Sequence, residues 1–130
     1  MAETLVRCTE GTMNAIYDNL LLATGLKGLG VDVAILFLPE ALLCLAERKF
    51  PLPPLLSTYS ETMVDNMKKT GLPTNPMGAL KMAKDAGVTI YACGACADFF
   101  AVRDKLPAEM EILEMNDVAK LVAEAKKVIG

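Results

Sequence analysis

Val31-Asp32-Val33-Ala34-Ile35-Leu36-Phe37-Leu38, closed by Pro39, is the stretch that decides the fold. A nearly continuous apolar run of strand length, bounded by turn residues, fits a central strand of a parallel sheet, buried on both faces; a strand with one wet face would alternate. Before it, Gly28-Leu29-Gly30 reads as a helix stop and turn. After it, Pro39 suits the first turn of a helix, which is expected to run to Glu47.

The same grammar extends outward in both directions. Thr4 to Cys8 is a short β-prone piece, Glu10-Gly11-Thr12 a turn with Thr12 as cap, and Met13 to Lys27 a helix by the spacing of Ile16, Leu20, Ala23 and Leu26. Downstream, Phe50 to Ser57 is read as an extended loop because of Pro51, Pro53 and Pro54. Ser60 to Lys69 is expected as a polar-faced helix stopped by Gly71. Asn75 with Pro76 opens another, running to Asp85. Val88 to Ala92 is a second central strand, and Ala97 to Val102 a helix. Met110 to Leu113 is a last strand, and Asn116 or Asp117 caps a final helix reaching Val128. Strand and helix alternate, which is the α/β signature, and 130 residues are expected to form one domain, 1–130.

Composition removes several function classes. The chain is 53% apolar, which argues against disorder and is the ground for expecting a homo-oligomer with an apolar interface. Net charge is −3 with no Lys/Arg patch, so no direct nucleic-acid partner is expected. Histidine is absent, which excludes His-based metal sites and every Ser-His-Asp or Cys-His arrangement. No basic stretch followed by an apolar run opens the chain, and Pro39 and Glu40 break its greasiest region. Neither a signal peptide nor a membrane span is expected, and a cytoplasmic location with reduced thiols follows.

The chemistry concentrates at Cys93-Gly94-Ala95-Cys96, where the second central strand hands over to a helix. Ligands of open α/β sheets bind at the carboxyl ends of the strands. A thiol at a helix start faces free backbone N–H groups, which favour the thiolate, the form that attacks sulfur. Cys93 is therefore expected to be exposed and ionised, with Cys96 as a second thiol and Gly94 and Ala95 leaving room for a substrate. The competing reading is that both cysteines simply pack as small apolar side chains. Cys8, Glu10 and Gly11 lie at the carboxyl end of the first strand and join the expected pocket. Asp98 is placed near the same helix end as Cys93, with Arg103 and Lys105 to offset its charge or hold an anionic partner. Cys44, in Ala41 to Leu45, reads as a core or interface residue. Zinc needs two more ligands, and Cys8 and Cys44 do not form a second C-x-x-C, so no metal is expected. No G-x-G-x-x-G follows a strand, and no cofactor is expected.

Gly87 to Phe100, Gly-Val-Thr-Ile-Tyr-Ala-Cys-Gly-Ala-Cys-Ala-Asp-Phe-Phe, resembles the signature segment of the DsrE/DsrF-like family of small sulfur-relay proteins, which includes the TusD-type subunits of tRNA thiolation. Leu21-Leu22-Ala23, Gly30 to Val33, Phe37 and the Pro39 to Glu47 helix are similar to the family's opening. The resemblance implies a three-layer flavodoxin-like α/β sandwich with a mostly parallel sheet, assembled as dimers, trimers or hexamers. It also implies sulfur carried as a persulfide on Cys93, passed between a sulfur-donor and a sulfur-acceptor protein. Cys96 is not common to every branch; here it is a candidate for resolving the persulfide. The sequence departs from the family where Asp98-Phe99-Phe100 replaces a basic pair and glycine. Two other readings stay open: a dithiol-disulfide redox protein using Cys93 and Cys96, and a non-catalytic binding or assembly subunit.

Overall fold

The deciding run forms strand β2, Val33–Phe37, and all five of its residues are buried. The computed structural model describes residues 2–130. Before β2 come β1, Thr4–Cys8, and α1, Met13–Gly28. After it come α2, Pro39–Glu47, then α3, Pro54–Ser57, α4, Ser60–Thr70, and α5, Pro76–Asp85. β3, Thr89–Cys93, runs directly into α6, Gly94–Phe99. A 3-10 turn at Arg103–Lys105, β4, Glu111–Leu113, α7, Met115–Glu124, and β5, Lys127–Ile129, complete the described chain.

The strands form one sheet in the order β4-β3-β2-β1-β5, and every pairing is parallel. Consecutive strands step one way from β1 to β4, and α7 then carries the chain back to the far side of β1. Alternate strand residues face opposite sides, so a β2 buried throughout requires cover on both faces. α1 lies on β1 and β2 and packs along α5, while α2 lies on β3 and packs on α6. This is a three-layer, flavodoxin-like α/β sandwich. Its core is aliphatic: Leu5, Ile16, Leu20, Ile35, Leu36, Leu42, Leu45, Leu80 and Ile90 are fully enclosed, with Phe37 the largest side chain among them.

Local signals place the helix starts. The Thr12 side chain accepts from Ala15 N–H at 3.3 Å, and Asn75 Oδ1 accepts from Gly78 N–H at 3.0 Å, each at the expected cap position. Pro39 and Pro76 occupy first turns, where a missing N–H costs nothing. Three expectations need correction. Pro54 starts the short helix α3 instead of continuing an extended loop, because proline's fixed φ suits a first helical turn as well as an extended chain. The helix after β3 begins at Gly94 and ends at Phe99; it does not run from Ala97 to Val102. The last helix is capped at Glu114 and stops at Glu124, and its expected tail is strand β5. β5 exists by pairing with Thr4–Val6 of β1, a contact more than a hundred residues away that no local pattern encodes.

Candidate functional site

Cys93 is the last residue of β3 and the N-cap of α6, so the strand-to-helix handover falls on the expected residue. Its backbone is extended, with φ −72° and ψ 113°, and it pairs in register with Leu113 of β4. Two parts of the expectation fail. The residue is only 1% exposed, not open to solvent. Its side chain also makes no capping hydrogen bond to the helix N–H groups. The reason is geometric: a β3 residue with β2 on one side and β4 on the other points into a packed layer, and α6 closes over it.

Cys96 lies one turn into α6 and is buried as well. Burial, reinforced by the neighbouring Cys93, pushes the Cys96 thiol up to about 12. Cys96 therefore keeps its proton at neutral pH. Gly94, directly after Cys93, stands in a crowded place. A Cβ there would meet Arg103 Nη2 at 2.9 Å, the Leu113 carbonyl oxygen at 3.0 Å and Ile112 Cγ2 at 3.2 Å. Ala95 is partly buried against the core and Ala97 completely enclosed.

Asp98 is not at the Cys93 end of α6. It sits in the last turn, fifth of the helix's six residues. Arg103 Nε and Nη2 donate to its two carboxylate oxygens, each at 2.8 Å, and these bonds hold the carboxyl below its ordinary range. Arg103 Nη1 donates to Glu114 Oε1 at 3.0 Å. The Arg103 fork is thus filled by the chain's own carboxylates. Lys105 lies 4.0 Å from Glu47. Glu114 escaped the sequence reading, since its role depends on β4 returning beside α6, and no spacing signal announces that.

Cys8, Glu10 and Gly11 are not brought together with Cys93. Cys8 registers with Phe37, and Phe37 with Ala92, so their side chains share one face while Cys93, one residue on, faces the other. Cys8 instead lies under the start of α1, its sulfur 3.9 Å from the Ala15 carbonyl oxygen. Glu10 is exposed and accepts from the Thr12 hydroxyl at 3.3 Å. Gly11 N–H donates to Glu40 Oε1 at 2.8 Å, in a space that a Cβ would share with the Glu40 side chain. Cys44 is half-buried on α2, and burial together with Glu40 raises its thiol.

Burial pushes the Cys8 thiol up to about 11, Glu10 and Cys44 adding to the shift and an Asn19 hydrogen bond opposing it. Cys8 and Cys96 both hold their protons more tightly folded than unfolded, where a thiol titrates near 9. Their contribution to stability is therefore complete below pH 9 and is lost as pH rises through 11 to 12. Chemical denaturation at a series of pH values is expected to show a decline beginning near pH 9, on the order of 2 kcal/mol from Cys8 alone. Cys8→Ala is expected to flatten that slope; an equally steep slope without the thiol refutes the assignment.

Among the described residues there is no group of three or more Cys, Asp or Glu side chains arranged to hold a metal ion. No helix there is long and apolar enough to cross a membrane. A parallel α/β sandwich with a buried cysteine pair where a strand meets a helix defines a class of small thiol-bearing α/β proteins. Residues 8–130 match the DsrE/DsrF-like family, and the chain belongs to it. No curated protein matches the sequence. Among solved structures the chain is similar to the ychN protein from E. coli, with 18% identity and a TM-score of 0.68 over 99% of this chain and 98% of that one. It is also similar to a conserved protein of unknown function, BT1422, from Bacteroides thetaiotaomicron, with 13% identity and a TM-score of 0.62 over 98% of this chain and 93% of the other. At these identities the likeness establishes the shared fold.

Proposed function

We infer that the protein is a sulfur carrier, with sulfane sulfur held as a persulfide on Cys93. The observation that carries this reading is the placement of Cys93 at the β3–α6 handover, with the protonated Cys96 thiol one turn further on. Membership of the DsrE/DsrF-like family supports it. In the transfer, the Cys93 thiolate attacks the outer sulfur of a donor persulfide. A new S–S bond forms on Cys93, the donor's S–S bond breaks, and the donor leaves as a thiolate that takes up a proton. In the second half an acceptor thiolate attacks that outer sulfur and Cys93 departs as thiolate. No external oxidant or reductant is needed, because the sulfane sulfur keeps its oxidation level throughout.

Cys96 acts mainly as a hydrogen-bond donor in this scheme. Resolution would require its thiolate to attack the Cys93 sulfur, expel sulfide and leave a disulfide, and a thiol pushed up to about 12 supplies little thiolate at neutral pH. The dithiol-disulfide alternative keeps one observation in its favour, two buried thiols one helical turn apart at the β3–α6 handover. We place the carrier in the cytoplasm as a homo-oligomer, without a cofactor, working between a donor and an acceptor protein. Phe99 at 74% exposure, with Phe100, Ile112 and Met115, leaves apolar surface beside the site that fits self-association.

The test is incubation of the reduced protein with a low-molecular-weight persulfide, followed by peptide mass spectrometry. One added sulfur on the peptide holding Cys93 is expected. A Cys93–Cys96 disulfide with no persulfide would move the assignment to the redox alternative, and an unchanged peptide would remove both.

A further inference from the structure

Sulfur exchange needs an accessible thiol, and Cys93 is closed. The side chain standing over the start of α6 is Arg103. Its Nη2 lies 2.9 Å from where a Cβ on Gly94 would be, so the guanidinium rests on the residue directly after Cys93. The Leu113 carbonyl oxygen and Ile112 Cγ2 of β4 lie at 3.0 and 3.2 Å from the same point. Ala101, with φ 53°, turns the chain back after α6 and brings Arg103 against it. The guanidinium is then held at three points, by both carboxylate oxygens of Asp98 in the last turn of α6 and by Glu114 at the cap of α7. One side chain thus lies along α6 from Gly94 to Asp98 and ties it to the β4–α7 junction.

We propose that Arg103 is a latch: a positioning residue whose fork, engaged by Asp98 and Glu114, holds the start of α6 against β4 and keeps Cys93 closed until it is released. Release admits the sulfur donor in the carrier reading, on which the purpose of the latch rests. The chemistry suits a latch better than a permanent seal. The three side chains are 38%, 57% and 67% exposed, so their ion pairs are screened by salt and open to competition from other carboxylates or cations. The two-pronged engagement of Asp98 gives the closed state a defined geometry, which lysine does not reproduce. The fork is therefore occupied in the closed state, and an anionic partner would have to displace Asp98 or Glu114 to engage it.

Iodoacetamide labelling, read cysteine by cysteine by mass spectrometry, tests this on the full chain. Arg103→Ala is expected to raise the Cys93 labelling rate about tenfold, with Arg103→Lys intermediate. The double variant Asp98→Asn with Glu114→Gln keeps the arginine but frees it, and is expected to match Arg103→Ala. Added salt is expected to speed labelling of the unmodified protein and to leave Arg103→Ala unchanged. Cys8, buried on the opposite face, reports general loosening. A parallel rise at Cys8 overturns the latch, as does an unchanged Cys93 rate in the folded variants. If the unmodified protein takes no sulfur from a persulfide while this labelling pattern holds, the carrier reading fails and the latch stands.

Discussion

A Cys93→Ser variant is expected to take up no sulfur from a persulfide donor, whereas Cys96→Ser continues to do so. The asymmetry follows from the two environments. Serine at position 93 preserves the shape of the strand-to-helix handover but offers a hydroxyl, which does not form the S–S bond on which carriage depends. The loss is therefore complete, not partial. At position 96 burial and the neighbouring Cys93 push the native thiol up to about 12, so very little of it is thiolate at pH 7. A group so rarely ionised contributes little as a nucleophile. In the carrier reading Cys96 serves as an S–H donor beside Cys93, a role that a serine hydroxyl takes over. Mass spectrometry of the two variants after identical exposure to the donor separates the roles. Loading of Cys93→Ser, or its loss in Cys96→Ser alone, reverses the assignment.

Phe37→Ala is expected to cost about 3–5 kcal/mol of folding stability, a large part of what a domain of this size possesses. Phe37 is 0% exposed at the carboxyl end of β2, in register with Cys8 on one side and Ala92 on the other. It is the largest fully enclosed side chain among the described residues, and its neighbours Cys8 and Ala92 are too small to fill the space it would leave. The cavity term therefore adds to the lost burial. Urea denaturation measures the change, and a loss below about 1 kcal/mol would mean that the layers collapse onto the gap. Removing Phe37 also opens the face under Cys8, while Cys93, on the other face, gains no such opening. Labelling of Cys8 is expected to rise more than labelling of Cys93.

The alternation of elements was legible because its signals are local. Thr12 and Asn75 cap where their side chains reach the free N–H groups of the next turn. The apolar run of β2 declares burial on both faces without reference to its neighbours. The handover at Cys93 was legible for the same reason. The exposure of its sulfur was not, because access depends on what lies across the sheet edge. β4 reaches that place only through the register of Cys93 with Leu113, and Arg103 only through the turn at Ala101. Placing Asp98 near Cys93 failed because the helix begins three residues earlier than its apolar spacing suggested, which moves Asp98 into the last turn.

Grouping Cys8 with Cys93 followed a rule about the carboxyl ends of parallel strands, and both residues do stand at that edge. What separates them is the two-residue period of the pleat, which sends residues one register step apart to opposite faces. Strand β5 was missed because three half-exposed residues carry no pattern of their own and exist only as partners of β1.

By itself the sequence determined the alternation of the main helices and strands, though not α3 or β5, together with the buried central strands and the residue at which β3 passes into a helix, since each is written in the spacing and chemistry of adjacent residues. Tertiary structure alone decided which thiols share a face, which carboxylates occupy Arg103 and whether Cys93 meets solvent. Those outcomes depend on strand register and on contacts between segments distant in the chain, and no local free-energy preference specifies them.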